Sequence, residues 1–221
     1  MRLCIYAIVA GGRRTPEIAG VRLRAVRCGT VLALGSPVRR APAPAPAQLR
    51  RYHRVVAGIA EQVSSILPAR FGTVMDDAEL DAVLSMRGRT LTTALRHVRG
   101  RVQMTIRVPA APGARQAVTS NVPRSGGDGQ VRRRGTAYLQ TRAAETAAER
   151  QIPGFEPVRA AVRRWVRDER IDLTDGVASV YHLVPRSSVN AYARAVHLAL
   201  DRAGMRAVLS GPFPPYAFTS W

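Results

Sequence analysis

Seven consecutive residues near the start, Leu3-Cys4-Ile5-Tyr6-Ala7-Ile8-Val9, are all apolar or aromatic. A run this short, rich in branched and aromatic side chains, predicts a strand buried on both faces. Such a strand needs a covering layer on each side of its sheet, and the chain must supply both. The run is too short and too weakly flanked for a secretory leader: one arginine precedes it, and Gly11-Gly12-Arg13-Arg14 follows.

The covering elements can be read further along. Val21–Ala25 alternates as a half-exposed strand, and Cys28-Gly29 turns the chain into a third strand at Thr30–Leu34. Ala41–Ala47, APAPAPA, is a stiff polyproline-like spacer. Leu49, Tyr52, Val55, Val56, Ile59, Val63, Ile66 and Leu67 recur at helical spacing, predicting a helix over Gln48–Leu67 that Pro68 ends. Asp76 or Asp77 caps the next helix, with Glu79 placed for a capping box, and Leu80, Val83 and Leu84 form its apolar side. A separate helix follows at Thr90–Arg99, with Gly100 as its stop. Arg101–Val108 alternates, sending Val102, Met104, Ile106 and Val108 to one face and Arg101, Gln103, Thr105 and Arg107 to the other.

Pro109–Gly135 is rich in Pro, Gly and Ser and lacks periodicity, which makes residues 109–135 a linker or mobile loop. It divides a first domain, residues 1–108, from a second, residues 136–221. In the second, Gly135–Arg150 and Glu156–Glu169 read as helical, and Asp175-Gly176 is a hairpin signal before the strand Val177–Val184. Ser187 or Ser188 caps a helix striped by Val189, Tyr192, Val196, Leu200 and Ala203, and Met205–Leu209 is a last strand. The fold class is therefore α+β, in two domains with antiparallel sheets.

The charge balance narrows the partners. All 34 basic residues are arginine, against 15 acids, for a net charge of +19. The balance predicts attraction to nucleic acid, an anionic surface or an acidic protein. The excess is spread out, however: 18 arginines against six acids before residue 109, and 16 against nine after it. That spread favours generic surface arginine over a phosphate-reading stripe, leaving nucleic acid as the alternative partner. Cys4 and Cys28 fall in strands without metal spacing and read as free buried thiols of a reducing cytoplasm.

Few motifs carry chemistry. Arg70-Phe71-Gly72-Thr73 lacks the remaining glycine and the Gly-Lys-Ser/Thr end of a phosphate loop, and reads as architecture: Phe71 anchors in the core and Gly72 turns the chain. His53, His97, His182 and His197 are isolated, with no ligand spacing for a metal. There is no Gly-x-Ser-x-Gly elbow, Asp168-Glu169 reads as a helix end, and the Ser125–Gly129 cluster lacks the strand and helix of a dinucleotide site. The pattern favours a protein that is not an enzyme and binds no cofactor. The closing segment, SGPFPPYAFTSW, concentrates Phe213, Pro215, Tyr216, Phe218 and Trp221 in a chain that is 5% aromatic. Either these residues fold back over a core, or they form an apolar docking site for a partner.

YAIVAGG at Tyr6–Gly12, LPARFGTVMDDAELDAVL at Leu67–Leu84, HVRGRVQMTIRV at His97–Val108, GTAYLQTR at Gly135–Arg142, YHLVPR at Tyr181–Arg186 and GPFPPYAF at Gly211–Phe218 together resemble the gas vesicle accessory proteins of the F/L type, the GvpF/GvpL family. The resemblance implies two α+β domains, the first ferredoxin-like, and no catalytic activity. It also implies a role in gas vesicle assembly, in the cytoplasm or at the vesicle, with the small hydrophobic shell protein and other accessory proteins as partners. A third reading, a small-molecule-sensing ACT-like module, rests on the ferredoxin-like topology alone.

Overall fold

The computed structural model describes residues 2–10, 17–109, 152–174 and 176–219. Gly11–Arg14, most of the 109–135 linker, the Gly135–Arg150 helix, Asp175 and Trp221 lie outside the described residues.

β1 (Arg2–Ala10) is the strand that the opening run predicts, with Leu3 to Val9 all buried. It is flanked by β3 (Val31–Val38) on one side and by β4 (Ile66–Pro68) and β5 (Val74–Met75) on the other, and β2 (Arg24–Cys28) closes the sheet beyond β3. All these pairings are antiparallel. The register slips between Ile5 and Ala7. This irregularity reverses the alternation: Leu3, Ile5 and Ile8 face one core, whereas Tyr6, Ala7 and Val9 face the other.

Each core is closed by one helix. α1 (Pro46–Gln62) has Pro46 in its first turn and buries Tyr52, Val55, Val56, Ile59 and Ala60 against the Tyr6 side. α2 (Asp77–Val98) starts in a complete capping box between Asp76 and Glu79, and covers the Leu3 side with Leu80, Leu84, Leu91, Leu95 and Val98. It is one helix of 22 residues, not two. Gly88 in its middle meets no neighbouring atom, so glycine there only weakens the helix, while the leucines on both sides hold it to the sheet.

α1 also ends earlier than its apolar spacing suggests, at Gln62. Ile66, Leu67 and Pro68 instead pair with Val9, Ile8 and Ala7. Pro68 is tolerated because β4 is an edge strand. The Arg70–Thr73 turn then returns the chain to β5. Thr73 donates to the Arg70 carbonyl from its backbone N–H at 3.1 Å and from Oγ1 at 2.8 Å, and Gly72 adopts φ +82°. Phe71 is half-buried and meets Tyr52 edge-on at 5.3 Å, while the Tyr52 hydroxyl donates to the Ala69 carbonyl at 2.7 Å. Gly72→Ala should cost about 1 kcal/mol, because a Cβ is strained at that φ although space for it is open. Urea melts check it, and an unchanged midpoint refutes it.

The second sheet contains β6 (Arg101–Pro109), β7 (Asp168–Thr174), β8 (Val177–Pro185) and β9 (Val208–Phe213), in the order β7-β8-β6-β9, all antiparallel. α3 (Glu156–Val162) and α4 (Val189–Ala203) cover one face through Phe155, Val158, Val162, Tyr192, Val196 and Leu200. Numbered from β6, this is a βαββαβ order with strands arranged 2-3-1-4, the ferredoxin-like connectivity. It lies in the second sheet, whereas the first interposes the β2–β3 hairpin before its first helix. β6, grouped with residues 1–108 by the sequence reading, is hydrogen-bonded between β8 and β9.

Three local expectations change. α3 stops at Val162, and Asp168-Glu169 opens β7 instead of ending a helix. Ser188 precedes α4 without a side-chain cap. Gln103 and Thr105 are buried although their face of β6 reads as polar, because the C-terminal segment and α2 cover that side. Cys4 is buried, but Cys28 is only partly so, with Sγ 3.6 Å from Ser85 Oγ.

Candidate partner-binding site

The C-terminal residues flagged by the sequence do not act as one exposed patch. Phe218 is 4% exposed and sits in the α2-side core with Leu183 of β8. Pro214 and Pro215 are buried. Phe213 and Tyr216 remain partly exposed, and Trp221 is outside the described residues. The segment therefore does two things: it seals the seam between the two sheets and leaves two aromatic rings at its rim.

The seal is polar as well as apolar. The Ala217 N–H donates to Gln103 Oε1 at 2.7 Å, and Gln103 Nε2 donates to Thr105 Oγ1 at 3.2 Å, so the buried amide is paired. Short turns lock the residues around it, with Phe218 N–H donating to the Pro215 carbonyl at 3.1 Å and Thr219 Oγ1 to the Tyr216 carbonyl at 2.9 Å. The Arg170 guanidinium lies 5.5 Å from the Phe218 ring centre.

On the first domain's side the segment meets α1. His53 Nδ1 is 2.8 Å from the Tyr216 hydroxyl, and the His53 ring lies 6.0 Å from that of Phe213. Burial pushes the Tyr216 phenol up, so it stays protonated at neutral pH. His53 belongs to a stripe of α1, with Ala47, Leu49, Arg50 and Arg54, that lines a shallow groove. Its floor is almost wholly apolar. Leu49 is 43% exposed, so the groove side of α1 offers an aliphatic surface flanked by guanidinium groups.

The sequence reading placed Leu49 in the buried stripe of α1. It shares the azimuth of Val56 and Ala60, but it lies in the first turn of α1, ahead of Tyr52, where the buried stripe begins. The spacing Leu49, Arg50, His53, Arg54 (i, i+1, i+4, i+5) is legible as a second face. Arg186, last residue of the YHLVPR stretch, was passed over too. Its Nη2 donates to the Ala60 carbonyl at 3.0 Å near the C-terminal end of α1, and its backbone N–H donates to the Gly100 carbonyl at 2.9 Å. A cation at the negative end of a helix dipole stabilises it, and here the cation comes from the other sheet.

Arg70, Phe71, Gly72 and Thr73 stand apart from the groove, since their contacts run to Tyr52, Ile5 and one another. In a further polar cluster, His182 and Tyr192 have no exposed surface, and Glu169, bonded to His182, is partly exposed. No helix among the described residues is long and apolar enough to cross a membrane.

The family model for gas vesicle synthesis proteins GvpL/GvpF matches residues 3–220. The fold is similar to crystal structures of the gas vesicle protein GvpF. For that of Microcystis aeruginosa the TM-score is 0.71 at 14% identity, covering 100% of this chain and 99% of that one. For that of Anabaena sp. PCC7120 the TM-score is 0.73 at 14% identity, covering 100% and 96%. No curated protein matches the sequence.

Proposed function

The chain belongs to the GvpL/GvpF family of gas vesicle synthesis proteins, and from that premise we propose that it is a non-enzymatic accessory protein that holds the small hydrophobic shell protein during assembly. The gas vesicle and the cytoplasm around it are where it acts, with other accessory proteins as further partners. A gas-filled shell needs subunits with strongly apolar faces, and these aggregate in water before they are built in. A helper must offer apolar surface to such a subunit and remain dispersed itself. The α1 groove answers both needs: Ala47 and Leu49 supply apolar surface, Arg50 and Arg54 supply charge at its edge, and His53 joins it to the partly exposed rings of Phe213 and Tyr216. The observation that carries this reading is the exposed Leu49 in a groove whose His53 meets two partly exposed aromatic rings.

The absence of catalysis is part of the proposal. The His182–Glu169–Tyr192 cluster resembles an acid–base relay in composition only, because His182 and Tyr192 have no exposed surface on which to meet a substrate. Leu49→Asp tests the site, since it replaces the apolar floor of the groove by a hydrated carboxylate without touching a core residue. Co-purification of shell protein should fall by on the order of tenfold, as expected when one central apolar contact is lost. Undiminished capture by folded Leu49→Asp would remove this groove from the account.

A further inference from the structure

The outer edge of β7 points to a second copy of the chain. We propose that two molecules join edge to edge through antiparallel β7 strands with a twofold axis at Ile171, making one eight-stranded sheet from two ferredoxin-like sheets.

β7 is an edge strand, and among the described residues it pairs only with β8. It is regular, with seven consecutive residues in register from Asp168↔Leu183 to Thr174↔Val177. The opposite edge, β9, is poorer: it contains Gly211-Pro212, and its register with β6 shifts between Gln103 and Thr105. The β7–β8 hairpin closes through two residues, which makes Thr174 and Val177 a hydrogen-bonded pair. Backbone groups alternate from there, so those of Arg170 and Asp172 turn to β8, and those of Glu169, Ile171 and Leu173 turn outward. An antiparallel copy centred on Ile171 would therefore meet groups that no strand among the described residues pairs.

The side chains select the same register. Centred on Ile171, Arg170 of one copy stands opposite Asp172 of the other, twice by symmetry, on one face of the sheet. Both are exposed. On the other face Leu173, 51% exposed, lies diagonal to the second Ile171 and gains apolar cover. No like charges are opposed. A register centred on Arg170 would face that arginine with itself and Asp168 with Asp172. One centred on Asp172 would face two carboxylates. Charges on an edge strand normally block pairing; here their order, Glu-Arg-Ile-Asp-Leu, permits it in one register.

The inference is independent of the α1 groove. Sedimentation velocity on the full chain at about 0.15 M salt, where long-range repulsion between the +19 copies is largely screened, reads it directly. The wild type should show a dimer that grows with concentration. Asp172→Arg and Arg170→Asp should each weaken dimerisation by on the order of tenfold, since two attractive pairs become repulsive. The double variant R170D/D172R should restore it, because the pairs re-form with reversed polarity. Asp172→Arg alters an exposed position, and circular dichroism confirms its fold. A wild type that stays monomeric at its highest soluble concentration overturns the proposal. So do single variants that dimerise normally, or a double variant that fails to recover.

Discussion

Phe218→Ala should lower the free energy of unfolding by about 3–5 kcal/mol, the usual cost of emptying a buried phenylalanine site. Phe218 is 4% exposed and packs with Leu183 of β8 in the core that α2 closes over the first sheet. It packs with residues of both sheets, so the loss should be felt by both. Chemical denaturation followed by tyrosine and tryptophan fluorescence and by circular dichroism checks this, and a loss under about 1 kcal/mol contradicts it. The result bears on function. A C-terminal residue whose removal unfolds the protein also abolishes partner capture, but for a trivial reason. Truncation after Ser210 is worse, because it removes Gly211, Pro212 and Phe213 of β9 along with Phe218. Partner binding has to be tested by substitutions that spare this core, which is why Leu49 is the informative position.

What the sequence discloses depends on whether the deciding contact is local. The burial of Leu3–Val9, the Asp76–Glu79 capping box and the Asp175-Gly176 hairpin are set by neighbours within a few residues, and each is legible from pattern alone. Ile66 and Leu67 are not, because their apolar spacing fits a helix equally well. Pairing with Val9 and Ile8, almost sixty residues away, decides for a strand. The sequence reading separates a helix at Thr90–Arg99 from the one before it, but the sheet supplies packing on both sides of Gly88 and the two run on as one. The irregularity between Ile5 and Ala7, which exchanges the cores that odd and even positions face, leaves no trace in a run that is apolar throughout. The candidate site was half legible. The aromatic cluster at Phe213–Phe218 stands out by composition, but its division into a buried Phe218 and partly exposed Phe213 and Tyr216 depends on α1. His53 and Gln103, the residues that hold the segment, lie more than a hundred positions away.

The same distance rule hides the polar chain in the second core, and there the expected effect of a substitution is again large. His182 is fully buried, with Nε2 2.8 Å from Glu169 Oε2 and Nδ1 2.7 Å from the Tyr192 hydroxyl. A carboxylate can only accept, so Nε2 carries the proton, and for a neutral ring the bare Nδ1 accepts from Tyr192. Burial, with a smaller contribution from the Glu169 charge, pushes the Tyr192 phenol up and keeps it a donor. Arg159 completes the chain, with Nε 3.2 Å from both Glu169 oxygens and Nη1 2.7 Å from Glu156. His182→Ala should therefore cost about 3 kcal/mol, combining a cavity with an orphaned hydroxyl and a carboxylate that loses one of its two partners. The acid response should follow Glu169. Burial acts to raise its carboxyl, but hydrogen bonds from His182 and Arg159 outweigh that and hold it below the ordinary carboxylate value. A carboxyl depressed in the folded state contributes stability that is complete above its unfolded value and is lost as pH falls through the folded one. Stability of the wild type should thus decline on the acid side of the ordinary carboxylate range. In Glu169→Gln, which keeps the shape and lacks the titrating proton, that decline should be shallower. Parallel pH profiles for the two proteins would mean that some other carboxylate governs acid unfolding and that the chain from Arg159 to Tyr192 contributes packing alone.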